Sequence, residues 1–245
     1  MYLDVHCHLD IMSDIDKVIE NARKAKVLKI ISTGTNPQSN RKILELIEKY
    51  AEVEAALGIY PIDALKMNKK EIIKEKEFIK KNKNKLKVIC EVGIDLKESN
   101  ELDKQIEIFS LFIKLATELN VPLVVHSRKA EKECIESLEN LKAKKVIMHC
   151  FCGKFSLVDR IIKNGWVISI PASVKRSEQF QNIVKRIPIE NILCETDSPF
   201  LHPDKEDVNE PCNVIESYKK IAEIKNLNLK KIESIIEDNW KNLNI

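Results

Sequence analysis

The sequence predicts an α/β protein: a single-domain (β/α)8 (TIM) barrel over residues 1–245 that ends in an extra C-terminal helix. Three observations predict it. Eight short apolar runs alternate with longer charged, helix-patterned segments, which implies right-handed βαβ crossovers and a parallel sheet. The length of 245 residues is close to the roughly 250 that such a barrel needs. No Gly-rich phosphate loop follows the first run, which disfavours an open, doubly wound sheet.

The strand candidates lie near 3–7, 28–33, 53–58, 87–92, 121–126, 145–149, 166–170 and 191–196. Strands covered on both faces read as continuous apolar runs, and these do. Helical patterning covers 15–25, 37–50, 70–81, 102–119, 129–141, 155–163 and 178–186. Leu44, Ile47 and Ala51 form one stripe, and Ile106, Phe109, Ile113 and Ala116 form another. Asn36 before Pro37 has the order of an N-cap and a proline at the first helical position. Beyond the eighth run, 214–225 and 229–243 are helical, the latter being the extra helix packed over one end of the barrel.

Lys and Arg number 41 against 38 Asp and Glu, a net charge of +3. That near-balance lacks the strong basic excess of a dedicated nucleic-acid binder, although the local field at a site can still attract a phosphate. The seven cysteines include no CxxC pair and fit reduced thiols in a cytoplasmic protein. Strand pattern begins at Leu3, leaving no room for a signal peptide before it, and no apolar run approaches a membrane span. A cytoplasmic protein without membrane contact is expected, with a monomer favoured.

Ionisable residues recur at the ends of the apolar runs: His6 and His8 in LDVHCH, Glu91 in KVICEVG, His126 in PLVVH, His149 in VIMHC and Asp197 in ILCETD. Taken singly, each has an ordinary structural explanation, such as a packed histidine or a turn. Together they are expensive to bury unless a cation neutralises them. In barrels of this kind the active site lies at the carboxyl ends of the strands, where all six fall. Asp4, His6 and His8 alternate onto one face, so Asp4 could accept a proton from a ligand imidazole. Six ligands exceed the needs of one ion. They suggest two divalent cations (zinc, manganese, iron or magnesium) with Glu91 as bridge and Asp197 as the base for an attacking water.

DVHCH at 4–8, CEVGIDL at 90–96, VVHSR at 124–128, HCFCG at 149–153, CETDSP at 194–199 and NEPCNV at 209–214 span most of the chain. In order and spacing they resemble the motifs of the TatD family of metal-dependent deoxyribonucleases, within the amidohydrolase-like barrels. The resemblance implies metal binding by His6, His8, Glu91, His126, His149 and Asp197, and phosphodiester hydrolysis, often at DNA ends. It makes Arg128 and Asn209 candidates for substrate contact, arginine offering a planar fork to a phosphate. The chain departs from the family at Tyr60, where many relatives carry histidine, and at Cys90, where glycine is usual. Leu96 and Lys97 stand where many have an aromatic, and Val208 where an arginine is frequent.

Lys97, Arg128, Lys154, Lys175 and Arg176 fall in loops on the predicted active face, with Phe151, Phe155 and Phe200 near them. They fit a nucleic-acid rim or a merely solvated one, Phe151 and Phe155 fit the core equally well, and Tyr60 could stack on a base. The leading expectation is a two-metal deoxyribonuclease. The alternative keeps the barrel and the metals but cleaves an ester or amide, for example an aminoacyl ester on tRNA. A carbamylated-lysine bridge is disfavoured, because the fourth strand offers Glu91 instead.

Overall fold

The structure is a computed structural model that describes residues 1–205 and 208–243. Eight strands, β1 (Tyr2–Cys7), β2 (Val27–Thr33), β3 (Val53–Leu57), β4 (Leu86–Gly93), β5 (Leu123–His126), β6 (Val146–Met148), β7 (Val167–Pro171) and β8 (Ile192–Glu195), pair in parallel and in chain order. Parallel neighbours require crossovers, and helices supply them: α1 (Ile15–Lys24), α2 (Pro37–Lys49), α3 (Pro61–Leu65), α4 (Lys69–Lys81), α5 (Leu102–Leu119), α6 (Glu131–Asn140), α7 (Phe155–Lys163) and α8 (Glu178–Arg186), while α9 (Val214–Lys225) follows β8. The result is the expected (β/α)8 barrel.

Local chemistry sets the helix starts. Asn36 accepts from the backbone N–H groups of Gln38 and Ser39, and Ser39 reciprocates, so α2 begins with a capping box ahead of its N1 proline. Asn68 and Glu71 do the same for α4. The short α3 was not among the expected helices. Five residues are too few to show an apolar period, and Pro61 at its first position is its only sequence signal.

The barrel closes where its first and last strands end. Asp197 N donates to His6 O over 3.0 Å, and His8 N donates to Ser198 O over 2.7 Å. Beneath them the buried Asp4 carboxylate accepts from Thr196 N at 2.9 Å and Thr196 Oγ1 at 2.6 Å. Asp4 therefore ties β1 to β8 and serves no ligand imidazole, contrary to the sequence expectation.

One continuous apolar cluster fills the space between sheet and helices. The extra helix, α10 (Leu229–Asn242), packs at the amino-terminal ends of the strands, where Asn239 Nδ2 donates to Ile189 O and Ile192 O, both at 2.8 Å. At the carboxyl ends of the strands His6, His8, Glu91 and His149 are buried, and His126 and Asp197 are partly exposed. Among the described residues no helix is long and apolar enough to cross a membrane.

Candidate metal centre and active site

Because β1 is extended, its alternation sends His6 and His8 to the same side, and their Nε2 atoms stand 3.2 Å apart. Asp197 Oδ1 lies 3.4 Å from each. Asp197 does not continue β8. Its backbone is left-handed (φ 55°), which turns the carboxylate back over the barrel mouth. Glu91, near the end of β4, completes this group with Oε2 3.7 Å from His8 Nε2.

A second group shares Glu91. Its Oε1 lies 2.7 Å from His126 Nδ1 and 3.8 Å from His149 Nε2, and His149 Nε2 lies 3.9 Å from Asp197 Oδ1. Gly93 permits this approach of β4 to β5: it sits at φ 145°, and a Cβ there would meet His126 O at 1.9 Å. All six sequence-expected ligands thus converge on one locus.

The donor atoms of His6, His8 and Asp197 fit a divalent cation. Bonds of about 2.0–2.2 Å arranged tetrahedrally place neighbouring donor atoms roughly 3.4 Å apart. The edges among His6, His8 and Asp197 run from 3.2 to 3.4 Å. Ligand atoms of His6, His8 and Asp197 form one compact set, those of Glu91, His126 and His149 another, and those of His6, His149 and Glu195 a third that overlaps both.

The charges follow from crowding in a buried space. Burial alone would raise the Glu91 carboxyl, but the charges of His126, His6 and His149 override it and hold it well below the usual carboxylate range. Burial would likewise raise Asp197, yet His149 and the hydrogen bonds of His6 and His8 keep it ionised. Against burial, Glu91 and Asp95 lift His126 to about 9. Against burial, Glu195 and Asp197 lift His149 to about 10. His6 goes the other way, pushed down by burial and the neighbouring His149 charge.

Residues outside the expected set hold these rings. Asp95 Oδ2 lies 2.9 Å from His126 Nε2 and accepts the Tyr60 hydroxyl at 2.7 Å. Glu195 Oε2 lies 3.0 Å from His149 Nδ1, while its Oε1 accepts from Cys150 N at 2.9 Å. On His6, Nδ1 meets only neutral partners, Cys90 Sγ at 3.4 Å and Thr33 Oγ1 at 3.5 Å. Two of these residues had a legible signal: Glu195 is an ionisable residue at the end of an apolar run, and Asp95 lies in the same CEVGIDL segment as Glu91.

The two expected substrate contacts separate. Arg128 is exposed in the loop after β5 and pairs with Glu98 at 3.2 Å. Asn209 is fully buried: Nδ2 donates to Phe200 O at 2.7 Å and Thr196 O at 3.0 Å, while Oδ1 accepts from Glu210 N and Asn213 Nδ2 at 2.9 Å. It braces the loop that carries Asp197, with both ends of its amide already engaged. Phe151 is in the core, whereas Phe155 and Phe200 are exposed. Lys175 is paired with Asp204 and Glu216.

Comparison with known proteins agrees with this geometry. A family model described as TatD related DNase matches residues 3–244. The human deoxyribonuclease TATDN3 is 33% identical over 252 residues, covering 97% of this chain and 92% of that protein. YabD of Bacillus subtilis (strain 168), described as an uncharacterized metal-dependent hydrolase, is 34% identical over 253 residues, covering 99% and 98%. In fold, the chain matches the crystal structure of YjjV, a TatD homolog from Escherichia coli K12, with a TM-score of 0.93 at 22% identity, over 100% of this chain and 98% of that one. A TatD family hydrolase from Entamoeba histolytica gives a TM-score of 0.89 at 22% identity, over 99% and 97%. Clustered imidazoles and carboxylates at the carboxyl ends of the strands, and a family match along nearly the whole sequence, lead to one conclusion: this chain is a metal-dependent hydrolase and belongs to the TatD-related DNase family.

Proposed function

We propose that this chain is a two-metal deoxyribonuclease that cleaves phosphodiester bonds at nucleic-acid ends through an activated water. The observation that carries the reading is the division of Glu91 between two donor groups, with Oε2 toward His8 and Oε1 toward His126 and His149. The human relative, named a deoxyribonuclease, points to DNA as the substrate. When bound, two divalent cations, zinc, manganese or magnesium, would lower the pKa of a water, orient a phosphoryl oxygen and neutralise the leaving oxygen.

The chain's own residues divide the remaining work. His6, His8 and Asp197 would hold one cation and His126 and His149 the other, with Glu91 within reach of both. Asp197, kept ionised by its histidine neighbours, takes the proton of the attacking water. Asp95 and Glu195 fix the orientation of His126 and His149 from behind. Arg128 exchanges its exposed partner Glu98 for a substrate phosphate, an exchange that costs little because exposed ion pairs are weak.

The test uses protein stripped by a chelator and reloaded separately with manganese, magnesium or zinc. Loaded protein should release nucleotides from an end-labelled single-stranded DNA oligonucleotide, and Asp197→Asn should abolish release. Charged tRNA is assayed in parallel. Amino-acid release with intact nucleic acid would reassign the bond to an aminoacyl ester. Absence of nucleotide release under all three metals, with loading verified, sinks the reading.

A further inference from the structure

Phe200 stands three residues beyond Asp197 with 53% of its surface exposed. Its ring centroid lies 6.0 Å from that of His8, the planes inclined at 69°. A single exposed phenylalanine is ordinary on a protein surface and means nothing alone. Its mounting is what distinguishes it. Phe200 N donates to Asp197 O over 2.9 Å, and Phe200 O accepts from the buried Asn209 Nδ2 over 2.7 Å. Asn209 is itself held by Thr196 and Asn213. An apolar plane is thus presented to solvent on a fixed backbone, at the edge of a metal-ligand histidine.

The other exposed phenylalanine on this face differs. Phe155 has the Arg186 guanidinium 5.5 Å above its ring, so one face is already taken. Every nucleobase offers a π-face, and aromatic side chains beside a phosphate site are how single strands are gripped without reading sequence.

We propose that Phe200 is the stacking platform for the base of the nucleotide whose phosphate reaches the metal centre, so that the preferred substrate is a strand end with an unstacked base. This rests on the phosphodiesterase reading. It goes further by making the base, in addition to the phosphate, part of what the site recognises.

The test pairs Phe200→Ala with Phe200→Trp. On a single-stranded DNA oligonucleotide, Phe200→Ala should raise KM by roughly 5- to 150-fold with a much smaller fall in kcat, and Phe200→Trp should restore KM. On an oligonucleotide whose terminal residue is abasic, the two variants and the unaltered protein should share one KM. Trp166 and Trp240 are both buried, so an exposed indole at 200 gives its own fluorescence. Its quenching by the normal oligonucleotide, and weaker quenching by the abasic one, needs no turnover. That pattern in a protein that cleaves no phosphodiester would refute the nuclease reading while upholding the platform. Equal KM for Phe200→Ala and the unaltered protein, or quenching indifferent to the terminal base, overturns the platform.

Discussion

The Tyr60 hydroxyl donates to Asp95 Oδ2 over 2.7 Å, and that same oxygen lies 2.9 Å from His126 Nε2. Asp95 Oδ1 accepts from the backbone N–H groups of Lys97 and Glu98 at 2.9 and 3.1 Å. The carboxylate is therefore fully engaged. Although burial would raise it, the bonds from His126 and Tyr60 hold it down at about 2. Outer partners of metal-bound histidines are typically worth roughly 10- to 100-fold in metal affinity. Asp95→Asn should weaken binding by that order at the position shared by His126, measured by competition with a chromophoric chelator. Tyr60→Phe should cost about 1.5–3 kcal/mol in denaturant unfolding, the range for a hydrogen bond to a charged group. Full metal affinity in Asp95→Asn would remove Asp95 from the site.

Metal binding and protonation compete for the same nitrogens. In the metal-free protein His126 and His149 are lifted to about 9 and about 10, above the ordinary value of about 6.5 for histidine. A raised histidine adds stability that is complete below the unfolded value and fades as pH rises through the folded one. The metal-free protein should therefore lose this contribution between about pH 6.5 and 10. Apparent metal affinity should rise over the same window, because ligands must shed protons. Calorimetric titration with manganese at pH 7, in buffers of different ionisation enthalpy, should report proton release. No release would contradict the charged imidazoles.

Among the three histidines with an identified outer partner, His6 alone is backed by neutral groups, Cys90 and Thr33. Burial pushes the Cys90 thiol well above its usual range, so it remains protonated and a weak acceptor. Cys90→Ser, which retains an acceptor, should keep metal affinity within a few-fold. Cys90→Ala should lower it toward the roughly tenfold end of the outer-partner range. The visible spectrum of the cobalt-loaded protein should shift in the alanine variant and stay close to the original in the serine variant.

Asn209 separates a bracing role from a substrate role. Asn209→Ala leaves the carbonyls of Thr196 and Phe200 without their donor in a closed space, at about 1–3 kcal/mol for each buried group left unpaired. Unfolding in urea should register that loss. Activity should fall through kcat, because the Asp197 loop loosens, with metal affinity falling alongside. A selective rise in KM with undiminished stability would return Asn209 to the substrate.

Which parts of this architecture were legible follows from what each part costs. His6, His8, Glu91, His126, His149 and Asp197 stand out because ionisable groups at the ends of buried runs break a strong rule, and only a shared cation explains so many exceptions. Glu195 and Asp95 broke the same rule and were overlooked, because each sits beside a more conspicuous residue in the same motif. Asn209 is hard to place from sequence for a different reason. Its motif fixes its place along the chain, but in irregular loop structure no period tells whether a side chain faces the solvent or the loop's own carbonyls. Asp4 faces the backbone N–H and hydroxyl of Thr196 instead of the rings, a contact 192 positions away that no local pattern encodes.

The seam between β1 and β8 runs through the metal centre: the backbone bonds that shut the barrel involve His6, His8, Asp197 and Ser198 themselves. These residues meet only when the two ends of a chain segment of nearly two hundred residues come together. Completing the fold and assembling the catalytic locus are therefore a single event. A cation held by His6 and His8 on one side and Asp197 on the other would act as a clasp across that seam. Backbone amides flanking it should exchange with solvent more slowly in the loaded enzyme, and the joint should be the first place to part when the metal is withdrawn.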